Sequence, residues 1–217
     1  MAIISYISLK IGAIMEKEYK YRVLDEKIFD KIVEDCGFVT NGQEAIENID
    51  MKAVYFDTDE HDFINKGVAY RIRHENDRIT ATIKWDKDVT DGYHIREEFN
   101  LVVNDDRYAE HPDIEMFRSS DAYDVLYEAA GDKVLSPMIG MEYNRRQIKV
   151  DTGKSISCIS IDNGVIHHID GHDIPVLELE IEWFYGDEDD FMKLAGTIQQ
   201  KYSLQAENIS KLQRAFI

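Results

Sequence analysis

The sequence predicts an α+β fold dominated by antiparallel strands, and two patterns carry that prediction. Stretches spread along the whole chain alternate apolar and polar residues with a period of two, while only a few segments place apolar residues at helical spacing. The helices also fail to fall regularly between the strands, as a parallel sheet would require, so the strands are expected to be joined mainly by turns.

Residues 16–23 alternate as the first strand. Asp25 then stands at an N-cap position, Ile28, Phe29, Ile32 and Val33 follow at helical spacing, and Gly37 supplies a stop. Strands are predicted at 52–57, 69–74, 78–85 and 93–103, with Asn76-Asp77 suited to a tight hairpin turn. Residues 113–130 read as one helix beginning beside Pro112. Residues 143–150, 155–162 and 176–183 complete the strands. Asp187 is placed to cap a helix containing Phe191, Leu194, Ala195 and Ile198, and 207–216 reads as a short last helix. No internal repeat, low-complexity run or Pro/Ser linker interrupts this order. Residues 15–217 are therefore read as a single domain, and 1–14 as a lead-in strand or tail.

Apolar residues make up 44% of the 217, enough for a real core, and the formal net charge is −18. Such a surface repels phosphate backbones, which argues against a general nucleic-acid or anionic-membrane binder, although a negative whole can enclose a positive pocket. No segment reaches the roughly 18 consecutive apolar residues of a membrane span. Residues 1–14 lack the basic start, long apolar run and small-residue cleavage site of a targeting signal, and Met15 is an alternative start. Cys36 and Cys158 form no disulfide framework and are read as core or near-core thiols, so a reducing cytoplasm is expected. A small anionic substrate is the expected partner, with a homodimer left open.

The strand faces are chemically sorted. Glu16, Glu18 and Lys20 share one face of their strand; so do Arg71 and Arg73, then Thr80, Thr82 and Lys84, then His94, Arg96 and Glu98, then Glu178, Glu180 and Glu182. A half-exposed sheet accounts for any one of these. Three carboxylates in a row, however, repel one another unless a cation offsets them, and a merely solvated surface would mix the signs. If the sheet closes on itself, these faces line a polar bore. Arg and Lys there match phosphate oxygens, and the acids hold Mg2+ or Mn2+ that bridges to phosphate.

Glu16-Lys17-Glu18-Tyr19-Lys20 matches an ExExK signature, and the blocks after it keep a recognisable order. They are Tyr55-Phe56-Asp57-Thr58, Gly67-Val68-Ala69-Tyr70-Arg71-Ile72-Arg73, Thr80-Ala81-Thr82-Ile83-Lys84 and Arg96-Glu97-Glu98. Asp162-Asn163-Gly164, Glu178-Leu179-Glu180-Ile181-Glu182, Gly186-Asp187 and Ser210-Lys211 complete the series. In these blocks the chain resembles the CYTH superfamily of triphosphate tunnel metalloenzymes, from about Glu16 to the C-terminus. The resemblance implies a closed eight-stranded antiparallel β-barrel, a tunnel with a polar lumen and flanking helices. It implies metal binding by Glu16, Glu18, Glu180 and Glu182, with Glu178 and Asp162 as further ligands, and phosphate binding by Lys20, Arg71, Arg73, Lys84, Arg96 and Lys211. Glu98 would orient the bases. Of Arg145 and Arg146, Arg145 is preferred as the basic residue of its strand because it shares the polar face of Tyr143, Gln147 and Lys149. Lys20, Glu98 and Arg145 are the catalytic candidates, and the residue that activates water is left open.

The implied reaction is metal-dependent hydrolysis of a triphosphate, inorganic triphosphate first, with thiamine or nucleoside triphosphates behind it. Adenylate cyclase of the same fold is an alternative, set back because Gly12, Ala13, Ile14 and Met15 stand where that group carries a His-Phe pair. A non-catalytic polyphosphate-binding module is another, set back because anion binding gains nothing from the acids. His167, His168, His172 and Asp173 surround Gly171 and read as a solvated hairpin rather than a zinc site.

Overall fold

The computed structural model describes residues 12–35, 46–104, 108, 111–168 and 171–217. The expectations for Cys36, for the Gly37 helix stop and for most of the lead-in concern residues outside these.

The alternating stretches form one antiparallel sheet: β1 (Ile14–Arg22), β2 (Glu47–Asp57), β3 (Val68–Glu75), β4 (Arg78–Thr90), β5 (Tyr93–Val102), β6 (Ser136–Asp151), β7 (Ser155–His167) and β8 (Asp173–Gly186). They follow the order β5-β4-β3-β2-β6-β7-β8-β1, and β1 also pairs with β5 from Ile14↔Glu98 to Tyr19↔Tyr93, so the sheet is a closed eight-stranded barrel. A two-residue strand, β9 (Gln205–Ala206), adds to β1 at Tyr21 and Arg22, beyond the end of the β1–β5 pairing. The β3–β4 turn places Asn76 at φ 51°, and the β4–β5 turn places Asp91 and Gly92 at φ 48° and 79°, the left-handed backbone that two-residue hairpin loops require.

The outward faces bury their apolar rows under helices. Over β1, β7 and β8, helices α1 (Lys27–Asp35) and α4 (Glu188–Tyr202) pack Phe29, Ile32, Phe191 and Ile198 against Tyr21, Ile159, Leu179 and Ile181. Over β3, β4 and β5, helices α2 (Asp62–Asn65) and α3 (Asp121–Ala130) supply Phe63 and Leu126, with Phe117 from a 3-10 turn (Ile114–Phe117), against Tyr70, Ile72 and Ile83. Because the apolar faces are used outside, the charged faces turn inward.

Three elements differ from the sequence expectation, each for a local reason. The helix predicted at 113–130 breaks in two: Asp113 caps the 3-10 turn, and Ser120, extended at φ −126°, donates its hydroxyl to the Phe117 carbonyl and so interrupts the backbone ladder. The helix predicted at 207–216 contracts to α5 (Lys211–Arg214), started by a Ser210/Gln213 capping box. Helix α2 was not predicted; the Asp57 carboxylate builds it by accepting the N–H groups of Thr58, Phe63 and Ile64 at 2.7, 2.8 and 3.1 Å.

A candidate active site in the barrel lumen

A cavity of about 380 Å3 runs inside the barrel. The period-two alternation of β1 aims Glu16, Glu18 and Lys20 into it, and strand pairing sets their neighbours: Glu18 lies opposite Glu182 and Lys20 opposite Glu180. Arg71 and Arg73 reach it from β3, Lys84 from β4, Arg96 and Glu98 from β5, Arg145 from β6 and Lys211 from α5. Asp162 and Glu178 are also on inward faces, but both are fully buried behind these groups and do not form the cavity wall. All the predicted residues thus converge, yet they separate into two groups.

In the first group the acids are saturated with cations. Asp162, Glu178 and Glu180 bring carboxylate oxygens within 4.8 Å of one another. Lys211 Nζ touches all three, at 2.8 Å from Asp162 and 2.7 Å from Glu180. Arg145 forks onto Asp162 with Nε and Nη2 both at 2.7 Å, and Nη2 also donates to Glu180 at 2.6 Å. Lys20 Nζ donates to Glu180 at 2.7 Å, and Arg214 Nη2 to Glu178 at 2.6 Å. Burial alone would push these carboxyls up; against it, Lys20, Lys211 and Arg145 hold Glu180 well below the ordinary range, and Arg145 with Lys211 holds Asp162 down. At Glu178 burial wins and the carboxyl is raised.

The second group is short of cations. Lys84 Nζ sits 2.6 and 2.7 Å from the two oxygens of Glu16 and 2.5 Å from Glu98, and Lys20 Nζ is 3.0 Å from Glu18. Among the described residues Glu182 has no ion-pair partner. Burial, then Glu16 and Glu18, pushes its carboxyl up to about 8. Glu16 is raised to about 7 by burial and Glu18, in spite of Lys84, while at Glu18 burial is overcome by Lys20, Arg96 and Lys84 together, which hold it at about 2. Ionised together, these acids carry more negative charge than the adjacent bases balance, and their hard carboxylate oxygens suit a Mg2+-like ion. The residues present fit such a metal.

Facing them, the guanidiniums of Arg71 and Arg73 each keep a buried Nε with no hydrogen-bond partner among the described residues, a donor that an anion in the cavity would satisfy. Arg73 also pairs with Glu75.

Sequence reasoning assigned no role to several groups that matter here. Tyr55 Oη lies 3.4 Å from Arg71 Nη1, and that guanidinium lowers the phenol below its ordinary range despite burial; its signal was the inward parity it shares with Met51 and Ala53. Arg214 was findable as the residue one helical turn from Lys211. His94, fully buried, was placed on the Arg96 face without a task, and Glu207 carried no signal at all. Asp57, inside a family block, caps α2 instead of facing the lumen. Burial pushes the Cys158 thiol up to about 12, which makes it inert. In the described part of the His-rich stretch Gly171 takes φ 90°, and His167 pairs with Asp173.

Comparison with known proteins agrees with this geometry. The inorganic triphosphatase of Haemophilus influenzae is 25% identical over 172 residues, which cover 79% of this chain and 46% of that protein; the chain spans about half the length of this relative. A Hippeastrum protein named as a candidate adenylyl cyclase, and described as having a dominant triphosphatase activity, superposes with a TM-score of 0.69 at 15% identity, over 93% of this chain and 96% of that one. A Bacillus halodurans protein named as a candidate adenylate cyclase gives 0.60 at 19% identity, over 95% and 100%. At these identities the two structures speak for the fold. The CYTH domain family pattern matches residues 15–216, nearly the whole chain, and with it the inward-facing blocks described above: the chain belongs to the CYTH domain family.

Proposed function

We propose that the lumen hydrolyses a triphosphate with the help of a divalent metal, and that inorganic triphosphate is the substrate it fits best. One observation carries the reading: a single cavity sets acids short of cations against guanidiniums short of hydrogen-bond partners. A triphosphate chain with its metal satisfies both at once. The names of the Haemophilus and Hippeastrum relatives support it.

Glu16, Glu18 and Glu182 would hold Mg2+ or Mn2+, which when bound neutralises phosphate oxygens and polarises the phosphoryl group. Arg71 and Arg73 grip the phosphates from across the lumen, and Lys84 and Arg96 from beside the acids. Glu98, ion-paired to Lys84, fixes that ammonium's direction. Asp162, Glu178 and Glu180 hold Lys20, Arg145 and Lys211 in place as a preformed cationic wall. Glu180 and its two buried companions serve the bases in this reading, although the family resemblance counts them with the metal ligands. Tyr55 Oη, 3.4 Å from Arg71 Nη1, braces that guanidinium from β2.

Phosphate release from inorganic triphosphate, ATP and thiamine triphosphate, with Mg2+ or Mn2+ and with EDTA, tests this. Metal-dependent release, fastest from inorganic triphosphate, is expected. Cyclic AMP with pyrophosphate from ATP would assign a cyclase, and tight metal-independent binding without turnover would assign a binding module; either result overturns the proposal.

A further inference from the structure

We infer that His94 is a positioning residue that locks the lumen guanidinium of Arg96 to the C-terminal segment carrying Lys211. Arg96 Nη2 donates to His94 Nδ1 at 2.7 Å, and His94 Nε2 lies 2.8 Å from the Glu207 carbonyl oxygen. A guanidinium has no acceptor, and a carbonyl has no donor. The two contacts therefore admit one form of the ring: Nδ1 bare, Nε2 bearing the proton, imidazole neutral. Protonated at both nitrogens, or in the other tautomer, the ring would point an N–H at Arg96.

The far end of this link is firmly held. Glu207 N–H donates to the Lys20 carbonyl at 2.9 Å, and its carboxylate accepts Arg22 Nε at 2.9 Å and Ile209 N–H at 3.0 Å. Asn208 Oδ1 accepts the Gly92 N–H at 2.7 Å. A Cβ at Gly92 would come within 2.7 Å of the Lys20 carbonyl and 3.1 Å of Ala206 Cβ, so the close approach of the segment requires a glycine there. The same segment then delivers Lys211 and Arg214 to the buried acids. His94 is thus the fully buried joint through which one phosphate-facing base on β5 takes its orientation from the segment that supplies another.

Two substitutions divide the joint. The oxygen of Asn sits near the Nδ1 position, so His94→Asn keeps an acceptor for Arg96 and loses the donor to Glu207. The amide of Gln reaches the Nε2 position, so His94→Gln keeps the Glu207 donor and loses the Arg96 acceptor. The readout is calorimetric affinity for inorganic triphosphate, together with KM where turnover is present. His94→Gln is expected to weaken affinity roughly tenfold with little change in kcat, and His94→Asn to stay near wild type while melting lower. Arg96→Lys should lose most of its effect in the His94→Gln background. Equal effects of the two His94 variants, or full additivity with Arg96→Lys, would overturn the inference. Nitrogen NMR of the wild-type imidazole needs no variant to fold: the Nε2–H form is expected, and an Nδ1–H form would refute it. The lumen reading supplies only the choice of probe. A wild-type chain that binds triphosphate without cleaving it defeats that reading and leaves the His94 measurements meaningful.

Discussion

The two acidic groups of the lumen meet on β8, which supplies carboxylates to both, and differ in their counter-charge. Asp162, Glu178 and Glu180 are contacted by Lys20, Arg145, Lys211 and Arg214, whereas Glu182 has no described partner and Glu16 shares Lys84 with Glu98. The convergence of the first group looks more like a metal site on geometry alone, yet its charge is already answered from within the chain. A carboxylate cluster becomes a cation site where the fold withholds internal cations, and a scaffold for bases where it supplies them. The contrast also shows how two of the three glutamates in a row on β8 are tolerated: Glu178 and Glu180 share the ammonium groups of Lys20 and Lys211.

The sharpest way to break this contrast is to unbalance the saturated group. Lys211→Met removes the ammonium that bridges three buried acids and should lower stability by about 3–5 kcal/mol, read by thermal or denaturant unfolding; a near-neutral result would mean that those acids are not held by internal cations. Next in size, Glu18→Gln should reduce kcat/KM by roughly a hundredfold and raise the metal concentration needed for half activity. Wild-type metal response in that variant would remove the cation-poor group from the chemistry. Arg73→Ala should raise KM about tenfold with a smaller change in kcat, measured on inorganic triphosphate.

Glu182→Gln sharpens the contrast in the opposite direction. The folded carboxyl is raised to about 8 from an ordinary 4.5, so between these values the folded chain binds more protons than the unfolded one. Its contribution to stability is complete below 4.5 and is lost as pH rises through 8. In EDTA, Glu182→Gln should therefore melt like wild type at pH 5 and above it at pH 9, by an amount on the order of 1 kcal/mol; a gap that shrinks with pH would refute the unbalanced charge. Smallest of all, Lys52→Ala on the outer wall should leave melting and turnover unchanged, because Lys52 and Glu142 pair 3.1 Å apart with side chains 67% and 55% exposed.

Much of this arrangement was legible before the coordinates. The period of two in β1, β3, β4, β5 and β8 told which side chains share a face, because a strand's geometry depends on local backbone alone. Strand ends were less legible: β6 runs from Ser136 to Asp151 and β8 from Asp173 to Gly186, both longer than their alternating centres, since ladder hydrogen bonds extend pairing into residues with no pattern of their own. The split at Ser120 and the short α5 turned on side-chain-to-backbone bonds that periodicity does not register. Glu207 acts through its carbonyl and N–H as well as its carboxylate, and backbone groups are identical at every position of a sequence.

Local order in the chain, then, settled which residues share a strand face and where the acids and bases are grouped, because alternation and side-chain chemistry are properties of single strands. The pairing of each acid with its base came from barrel closure and register. Those bring Lys20, Arg145 and Lys211 to Glu180 from three separate elements and, among the described residues, bring none to Glu182, and interaction energies between charges follow distances in space, not separations along the chain.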